Sequence, residues 1–463
     1  MKKLFLFATL LAFVQLNAQT IKSKFNAAFK KFEDDPSFTH ATISLYVINS
    51  LTGKAVAMEN IQEGMAPASC QKVVTASTAF ELLGHDFTYK TTLGYSGNLK
   101  NGILDGDIII KGEGDPSLGS WRYDAASEEN IISIFKKAIS QEGIHEINGD
   151  VIADESKWQG EVTPDGWIWQ DIGSYYGAGA RAIDWRENQY DLLLKSGKKI
   201  GDSVEIAGTI PSIVIGLTLK SMATSAETGS GDNAYIYFPL NKEYGYVRGT
   251  IPVNEDKFSI SGAMPHPANQ LAVTLEAALK KQSFENVIRK KEGLDYEDSA
   301  HIFYTYNSLP LDSIVYWFLK RSINLYGEAL LKTLGYELTK SGSVDSGVSV
   351  VKKFWQKKGI EPSALNIIDG SGLSPGNRIT TASLVTVLEY AKKQKWFSSF
   401  YNALPEINGI KMKSGSIGGV VSYTGFIKSK AGDAYTFAFI INNYDGDANT
   451  IRKKMWRLLD VLK

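Results

Sequence analysis

Ser69 and Lys72 stand three positions apart in the run Pro67-Ala68-Ser69-Cys70-Gln71-Lys72, which leads straight into the apolar, helix-spaced segment Val73 to Leu83. One helical turn carries positions i and i+3 onto the same face, so a neutral lysine there can take the proton of a serine hydroxyl, which is a weak nucleophile on its own. The tetrad by itself is a weak signal, because surface helices produce it often. Cys70 is the sole cysteine of the chain, which excludes an intrachain disulfide and a multi-cysteine metal site. It is a rival nucleophile by type. Its side chain, however, points about 100° around the helix from Ser69, and the position reads as a small residue packed behind the site. The five histidines, His40, His85, His145, His266 and His301, show no pair at ligand spacing. No G-x-S-x-G elbow accompanies them, which argues against a metal hydrolase and against a Ser-His-Asp enzyme.

The elements that position Ser69 can be read from periodicity. Lys22 to Phe32 has helical spacing, Ala41 to Ile48 reads as a strand, Ser50 to Lys54 as a turn and Ala55 to Asn60 as the returning strand. From Tyr89 the texture changes to short strand-like runs, Thr91 to Tyr95, Asp107 to Lys111 and Gly149 to Ala153, which point to a separate module. Trp158, Trp167, Trp169, Tyr175, Tyr176 and Trp185 form an aromatic concentration, expected to be core with one edge available to a ligand groove. Residues 190 to 250 are β-rich, with Thr224 to Asn233 suited to an exposed loop. Pro267 to Gln282 and Leu311 to Leu334 return to helical spacing. At the end, Val420 to Lys428 and Ala434 to Asn442 flank Ala431-Gly432-Asp433 as a hairpin, and Ile451, Met455, Leu458 and Leu462 make a closing helical stripe. Both ends of the chain supply a hairpin and a helix, so they are expected to share one sheet, with the middle as an insertion.

Composition adds bounds. The 463 residues, 43% hydrophobic, 11% aromatic and 22% charged, suffice for two or three cores. Fifty Lys+Arg balance fifty Asp+Glu, leaving no basic footprint for nucleic acid. Lys2-Lys3, the apolar run Leu4 to Val14 and the exit Leu16-Asn17-Ala18 have the form of a secretory signal, with cleavage expected after Ala18. No second run of about 20 apolar residues follows, so the mature chain is expected to have no transmembrane anchor and to work in the periplasm or outside the cell.

Two further motifs bear on Ser69. Ser322-Ile323-Asn324 lies between helical segments, and Lys413-Ser414-Gly415-Ser416 opens the C-terminal hairpin in a stretch of small residues that lets a substrate approach the backbone. Together they give S-x-x-K, S-x-N and K-[ST]-G in the order found in penicillin-recognising serine enzymes. The chain resembles the class C low-molecular-mass penicillin-binding proteins, which are D-alanyl-D-alanine carboxypeptidases and endopeptidases. The resemblance covers essentially all of the mature chain and extends to Gly114-Asp115-Pro116-Ser117-Leu118, Arg248-Gly249-Thr250-Ile251-Pro252 and Asp369-Gly370-Ser371-Gly372-Leu373-Ser374. The long interval between Ser69 and Ser322 matches the place where that family carries two extra domains, whereas a class A β-lactamase has no room for them.

The resemblance implies an α+β fold. In it, a penicillin-binding-protein/β-lactamase-like transpeptidase domain, an antiparallel sheet flanked by helices, carries two β-rich domains inserted between the first and second motifs. The expected division is a signal peptide at 1–18, a catalytic domain at 19–88 and 283–463, one inserted domain at 89–189 with 246–282, and another at 190–245. It also implies roles. Ser69 attacks the carbonyl of the penultimate D-alanine with Lys72 as base, Ser322 relays a proton to the leaving amine helped by Lys413, and Asn324 holds the substrate amide. Lys413, Ser414 and Ser416 bind the terminal carboxylate along the strand that includes Gly415, and the backbone N–H groups of Ser69 and Ser416 form the oxyanion hole. The chemistry is coherent, since a lysine acts as base near neutral pH when burial and a second cation lower its pKa from about 10.4. No metal or organic cofactor is implied. The partners are peptidoglycan stem peptides ending in D-Ala-D-Ala, with β-lactams as covalent inhibitors. Pro375 replaces an arginine found in several relatives, and Gln159 lies near an often acidic position, which makes Arg378, Asp154 and Asp171 the candidates for reading the third stem-peptide residue. Two other readings are a silent peptidoglycan-binding protein and a β-lactamase-like hydrolase. The first has no need of Lys72 paired with Lys413, and the second lacks a recognisable base for fast deacylation.

Overall fold

The computed structural model describes residues 21–158, 160–239, 243–280 and 300–463. The expected signal segment 1–18 and Gln159 lie outside the described residues. Contacts divide the chain into two units, one formed by the chain up to Leu82 with Val315–Ser322 and Val348–Lys463, the other by Leu83–Ile314 and Ile323–Gly347.

The first unit is built on a six-stranded antiparallel sheet in the order Glu406–Ile407, Ile410–Ile417, Val420–Lys428, Ala434–Asn442, Thr42–Asn49, Ala55–Glu59. Thr42 pairs with Asn442 and Asn49 with Tyr435, so the two ends of the chain do share one sheet. The strand Ala434–Asn442 is buried along seven consecutive positions, the mark of a strand covered on both faces. On one face Phe437, Phe439 and Ile441 join Phe25, Met455 and Leu458, supplied by the helical residues 21–33 and by Ala448–Leu459. On the other face small residues admit the helix Thr381–Ala391, and Ser44 hydrogen-bonds to Thr381, Oγ to Oγ1, at 2.7 Å. Among the described residues no helix is long and apolar enough to cross a membrane.

The second unit holds two cores. The first joins Leu93, Ile108, Ile110 and Val151 to Phe135 and Leu271. Its sheet runs His301–Asn307, Lys90–Tyr95, Ile108–Gly112, Val151–Asp154, covered by the helices Glu128–Gln141 and Pro267–Lys280. The second joins Tyr190, Leu192, Val247, Ile251 and Ile260. The stretch 246–282, expected to belong with 89–189 to one inserted domain and described to Lys280, serves both cores: Phe258–Ala263 pairs with Gln189–Lys195, while Leu271 and Leu275 pack in the other. Thr224–Ala226 is not loop but a short strand, parallel to Thr250–Pro252. The aromatic concentration divides: Trp158, Trp167 and Trp185 are buried, whereas Tyr175 is exposed.

Three consecutive non-glycine residues, Arg186, Glu187 and Asn188, take left-handed φ angles of 54°, 53° and 50°. Such a conformation costs about 1–2 kcal/mol per residue, and side-chain bonds offset it. Glu187, fully buried, accepts hydrogen bonds from Arg122 Nε at 2.7 Å, Arg122 Nη2 at 3.0 Å, Ser120 Oγ at 2.7 Å and Tyr326 OH at 2.9 Å. Asn188 Oδ1 accepts from the Trp185 N–H at 3.0 Å.

Candidate active site

Ala68–Gln71 forms a 3-10 turn that runs directly into the helix Lys72–Leu83. The expected geometry of the first motif is met: Lys72 Nζ donates to Ser69 Oγ at 2.9 Å. The Lys72 nitrogen is fixed by a second acceptor, the Ser371 carbonyl at 2.7 Å, and lies 5.8 Å from the centre of the Phe318 ring. Lys72 is buried and Ser69 remains partly open. Ala68, immediately before the nucleophile candidate, has a left-handed φ of 45°. Its carbonyl presses on Gly372, where an added Cβ would come within 2.0 Å, so only glycine fits opposite this strained turn.

Cys70 is fully buried, its thiol donates to the Lys413 carbonyl at 3.2 Å, and burial pushes its pKa up to about 11. A thiol in that state is not a thiolate near neutral pH, as its position behind Ser69 implied.

The third motif lies on the strand Ile410–Ile417, where Lys413 pairs with Thr424, Ser414 with Tyr423, Gly415 with Ser422 and Ser416 with Val421. Alternation places Met412 in the apolar core and Lys413 on the opposite face. Ser422 Oγ donates to the Pro67 carbonyl at 2.6 Å, tying the sheet to the turn that carries Ser69. Gly415 makes this approach possible, because a Cβ there would lie 2.7 Å from the Pro67 carbonyl oxygen and 2.8 Å from the Ser69 nitrogen. The Lys413 and Ser69 motifs thus come together in the first unit, with Ser414 half-buried and Ser416 exposed. Glu406–Ile407 pairs only with the start of this strand, so among the described residues the outer edge from Lys413 onward has no partner strand. Such an edge can accept an extended peptide.

Lys413 Nζ donates to the Ser414 carbonyl at 2.8 Å, and burial pushes its pKa from an ordinary 10.5 down to about 8. Two consequences run in opposite directions. As pH rises through about 8 the ammonium loses its proton, so kcat/KM for a substrate with a terminal carboxylate is expected to fall there. Lys413→Arg is expected to flatten that alkaline limb, because a guanidinium stays protonated; an unchanged limb in a pH–rate profile would assign it to another group. For stability, the unfolded chain binds the proton more tightly between pH 8 and 10.5. Lys413 therefore destabilises the fold fully below pH 8, and progressively less as pH rises across that window.

Ser322 sits at a left-handed break, φ 59°, between the helices Leu311–Lys320 and Asn324–Thr339. It follows Phe318, whose ring lies near Lys72 Nζ, by one turn. Asn324 opens its helix in the second unit and donates through Nδ2 to the Tyr176 carbonyl at 2.8 Å. Tyr176 in turn donates its hydroxyl to Asp171 at 3.2 Å, and burial pushes the Asp171 carboxyl up. Of the three specificity candidates, Asp171 is the one linked to Asn324. Asp154 is engaged by Lys111 at 3.3 Å, and Arg378 folds back on the carbonyls of Pro375 and Asn377 at 2.6 and 2.8 Å.

Sequence reasoning quoted the 369–374 loop without giving it a role. The structure makes it a support of the site. Asp369, fully buried, accepts from the N–H groups of Gly372 at 2.8 Å and Ser374 at 2.6 Å and from Asn377 Nδ2 at 2.9 Å, and is tied to Gln71 Nε2 at 3.1 Å. It thereby shapes the loop that offers the Ser371 carbonyl to Lys72. The Gly-Ser-Gly run after a lone aspartate was the available signal. Among the described residues no group of three or more His, Cys, Asp or Glu could hold a metal ion.

Comparison with known proteins gives a consistent picture. The model of the D-Ala-D-Ala carboxypeptidase 3 (S13) family matches residues 25–409 and 406–462. A D-alanyl-D-alanine carboxypeptidase of Actinomadura sp. (strain R39) is 24% identical, over 90% of this chain and 80% of that protein. The D-alanyl-D-alanine carboxypeptidase DacB of Haemophilus influenzae is 26% identical, over 84% of this chain and 83% of its own. The crystal structure of penicillin-binding protein 4 (dacB) from Haemophilus influenzae superposes with a TM-score of 0.74 at 23% identity, covering 92% of this chain and 96% of that one.

Proposed function

Because the chain belongs to the D-Ala-D-Ala carboxypeptidase 3 (S13) family, we propose that Ser69 is the nucleophile of a serine-type DD-peptidase acting on peptidoglycan stem peptides. The observation that carries this reading is the 2.9 Å contact from Lys72 Nζ to Ser69 Oγ, held beside the Lys413 strand by Gly415 and Ser422. In the attack Ser69 Oγ bonds to the carbonyl carbon of the penultimate D-alanine while its proton passes to neutral Lys72. The tetrahedral oxygen takes hydrogen bonds from the backbone N–H groups of Ser69 and Ser416, an arrangement typically worth several kcal/mol of barrier. Collapse expels the terminal D-alanine, whose amine receives the proton held on Lys72, relayed through Ser322 beside Lys413, and water then releases the acyl group from Ser69 with neutral Lys72 restored as base. A β-lactam enters by the same attack and stays attached, because ring opening leaves its leaving amine tethered in place.

Peptide binding draws on the open strand edge, with Lys413, Ser414 and Ser416 receiving the carboxylate and Asn324 the amide. Asp171, on the Tyr176–Asn324 chain, is our candidate among the three for reading the third stem-peptide residue. The two cores of the second unit are read as the inserted domains, and the N-terminal segment supports a site of action in the periplasm or outside the cell.

The test is release of free D-alanine from a diacyl tripeptide ending in D-Ala-D-Ala. Turnover is expected. Its absence, with penicillin still bound covalently, would leave a receptor and not a peptidase. Mass spectrometry of digested muropeptides separates loss of one alanine from cleavage of cross-links.

A further inference from the structure

The strained turn at Arg186–Asn188 borders an open cavity of about 430 Å³ in the second unit, within the size range of small-molecule sites. It is lined by none of the residues given a role above. Trp121 stands on it with 52% of its surface exposed, an uncommon state for the largest apolar side chain. The Arg122 guanidinium lies 5.6 Å from the centre of its ring, and that arginine is itself clamped by the buried Glu187, so the indole is braced.

The opposite wall is the strand Gln189–Lys195. Leu192 and Leu194 point into the core, and alternation turns Asp191 the other way, toward the cavity that it lines with Gln189 and Tyr190. Gln189 and Asp191 are held in orientation. The Gln189 amide donates to Glu187 at 3.2 Å, and Asp191 accepts from Ser261 Oγ at 2.8 Å. Arg186 is placed on the cavity by the left-handed turn and is ion-paired with Glu128. Its Nε is buried without a hydrogen-bond partner among the described residues.

An exposed indole bordered by the carboxylates of Asp191, Glu129 and the Arg186-paired Glu128, an amide and a guanidinium suits a neutral polyhydroxylated ring. The C–H face of the ring covers the indole, and the planar side chains pair with neighbouring hydroxyls. An anionic ligand fits less well, because three carboxylates line the cavity against one guanidinium that is already ion-paired. We propose that this cavity is a saccharide subsite. Resting on the reading of the chain as a peptidoglycan DD-peptidase, its ligand is the amino-sugar strand from which the stem peptides branch.

Titration calorimetry of the full chain with a soluble β-1,4-linked N-acetylglucosamine trimer tests this. The wild type is expected to bind, and Trp121→Ala and Asp191→Asn each to weaken binding at least tenfold. Turnover of a short tripeptide and labelling by penicillin should stay unchanged in both, which shows the fold intact. Trp121→Phe, which keeps an aromatic platform, should retain most of the affinity and decides the matter if the alanine variant misfolds. No binding by the wild type, or undiminished binding in Trp121→Ala and Asp191→Asn, overturns the proposal. Saccharide binding by a protein that releases no D-alanine would leave the subsite standing and remove the peptidase reading instead.

Discussion

Ser69→Ala is expected to abolish covalent labelling by a fluorescent penicillin and to lower D-alanine release by about 10⁶-fold, the scale seen when the nucleophile of a cooperating serine site is removed. The effect is this large because no neighbouring group can replace the hydroxyl. Cys70 is adjacent in sequence, but its sulfur faces the Lys413 carbonyl and burial holds it as a thiol, with a pKa of about 11. Cys70→Ala is accordingly expected to keep full labelling. Gel fluorescence after penicillin exposure checks both variants, and a labelled Ser69→Ala protein would sink the assignment and return Cys70 to consideration. The alanine variant should still bind the peptide non-covalently, because the Lys413 strand and its open edge are untouched by the substitution.

Lys72→Ala should slow acylation by about 10²–10⁴-fold, the usual contribution of a positioned proton acceptor. Its Nζ lies between Ser69 Oγ and the Ser371 carbonyl, so the substitution removes the base and also leaves a buried carbonyl without this donor. Lys72→Arg is not expected to rescue the rate, since a guanidinium cannot release its proton to serve as base. Stopped-flow acylation by a chromogenic cephalosporin measures the loss. A rate within a few-fold of wild type would exclude Lys72 as base and assign the proton transfer to another group.

Much of this site is legible in the sequence because side-chain types carry it. Ser69 with Lys72, and Lys413 before Ser414 and Gly415, announce themselves by chemistry and spacing, and the terminal hairpins by apolar runs around Gly432. The 369–374 loop announced much less, because what it offers Lys72 is a backbone carbonyl, and every residue has one. Asp369 looked like any loop aspartate until its four hydrogen-bonded partners were placed around it. The aromatic concentration is core with one open edge as expected, but composition cannot tell that Trp185 lies in the core and Tyr175 on the edge. The left-handed turn at Arg186–Asn188 had little signal: Asn188 alone is of a type that visits that conformation readily, and the turn is held by the bonds to Glu187 and Asn188.

The pairing of Thr42–Asn49 with Ala434–Asn442 sets an order of events during synthesis. The strand that leads toward Ser69 has no neighbour on that side until nearly the whole chain has been made, whereas the two cores between residues 93 and 306 can close as soon as their own strands emerge. Contacts this distant in sequence form last. A nascent chain, or one truncated before Ala434, would carry Ser69 and Lys72 without the Lys413 strand seated against them. The enzyme is in this sense delivered unarmed, and its chemistry begins only when the last hairpin has closed the sheet.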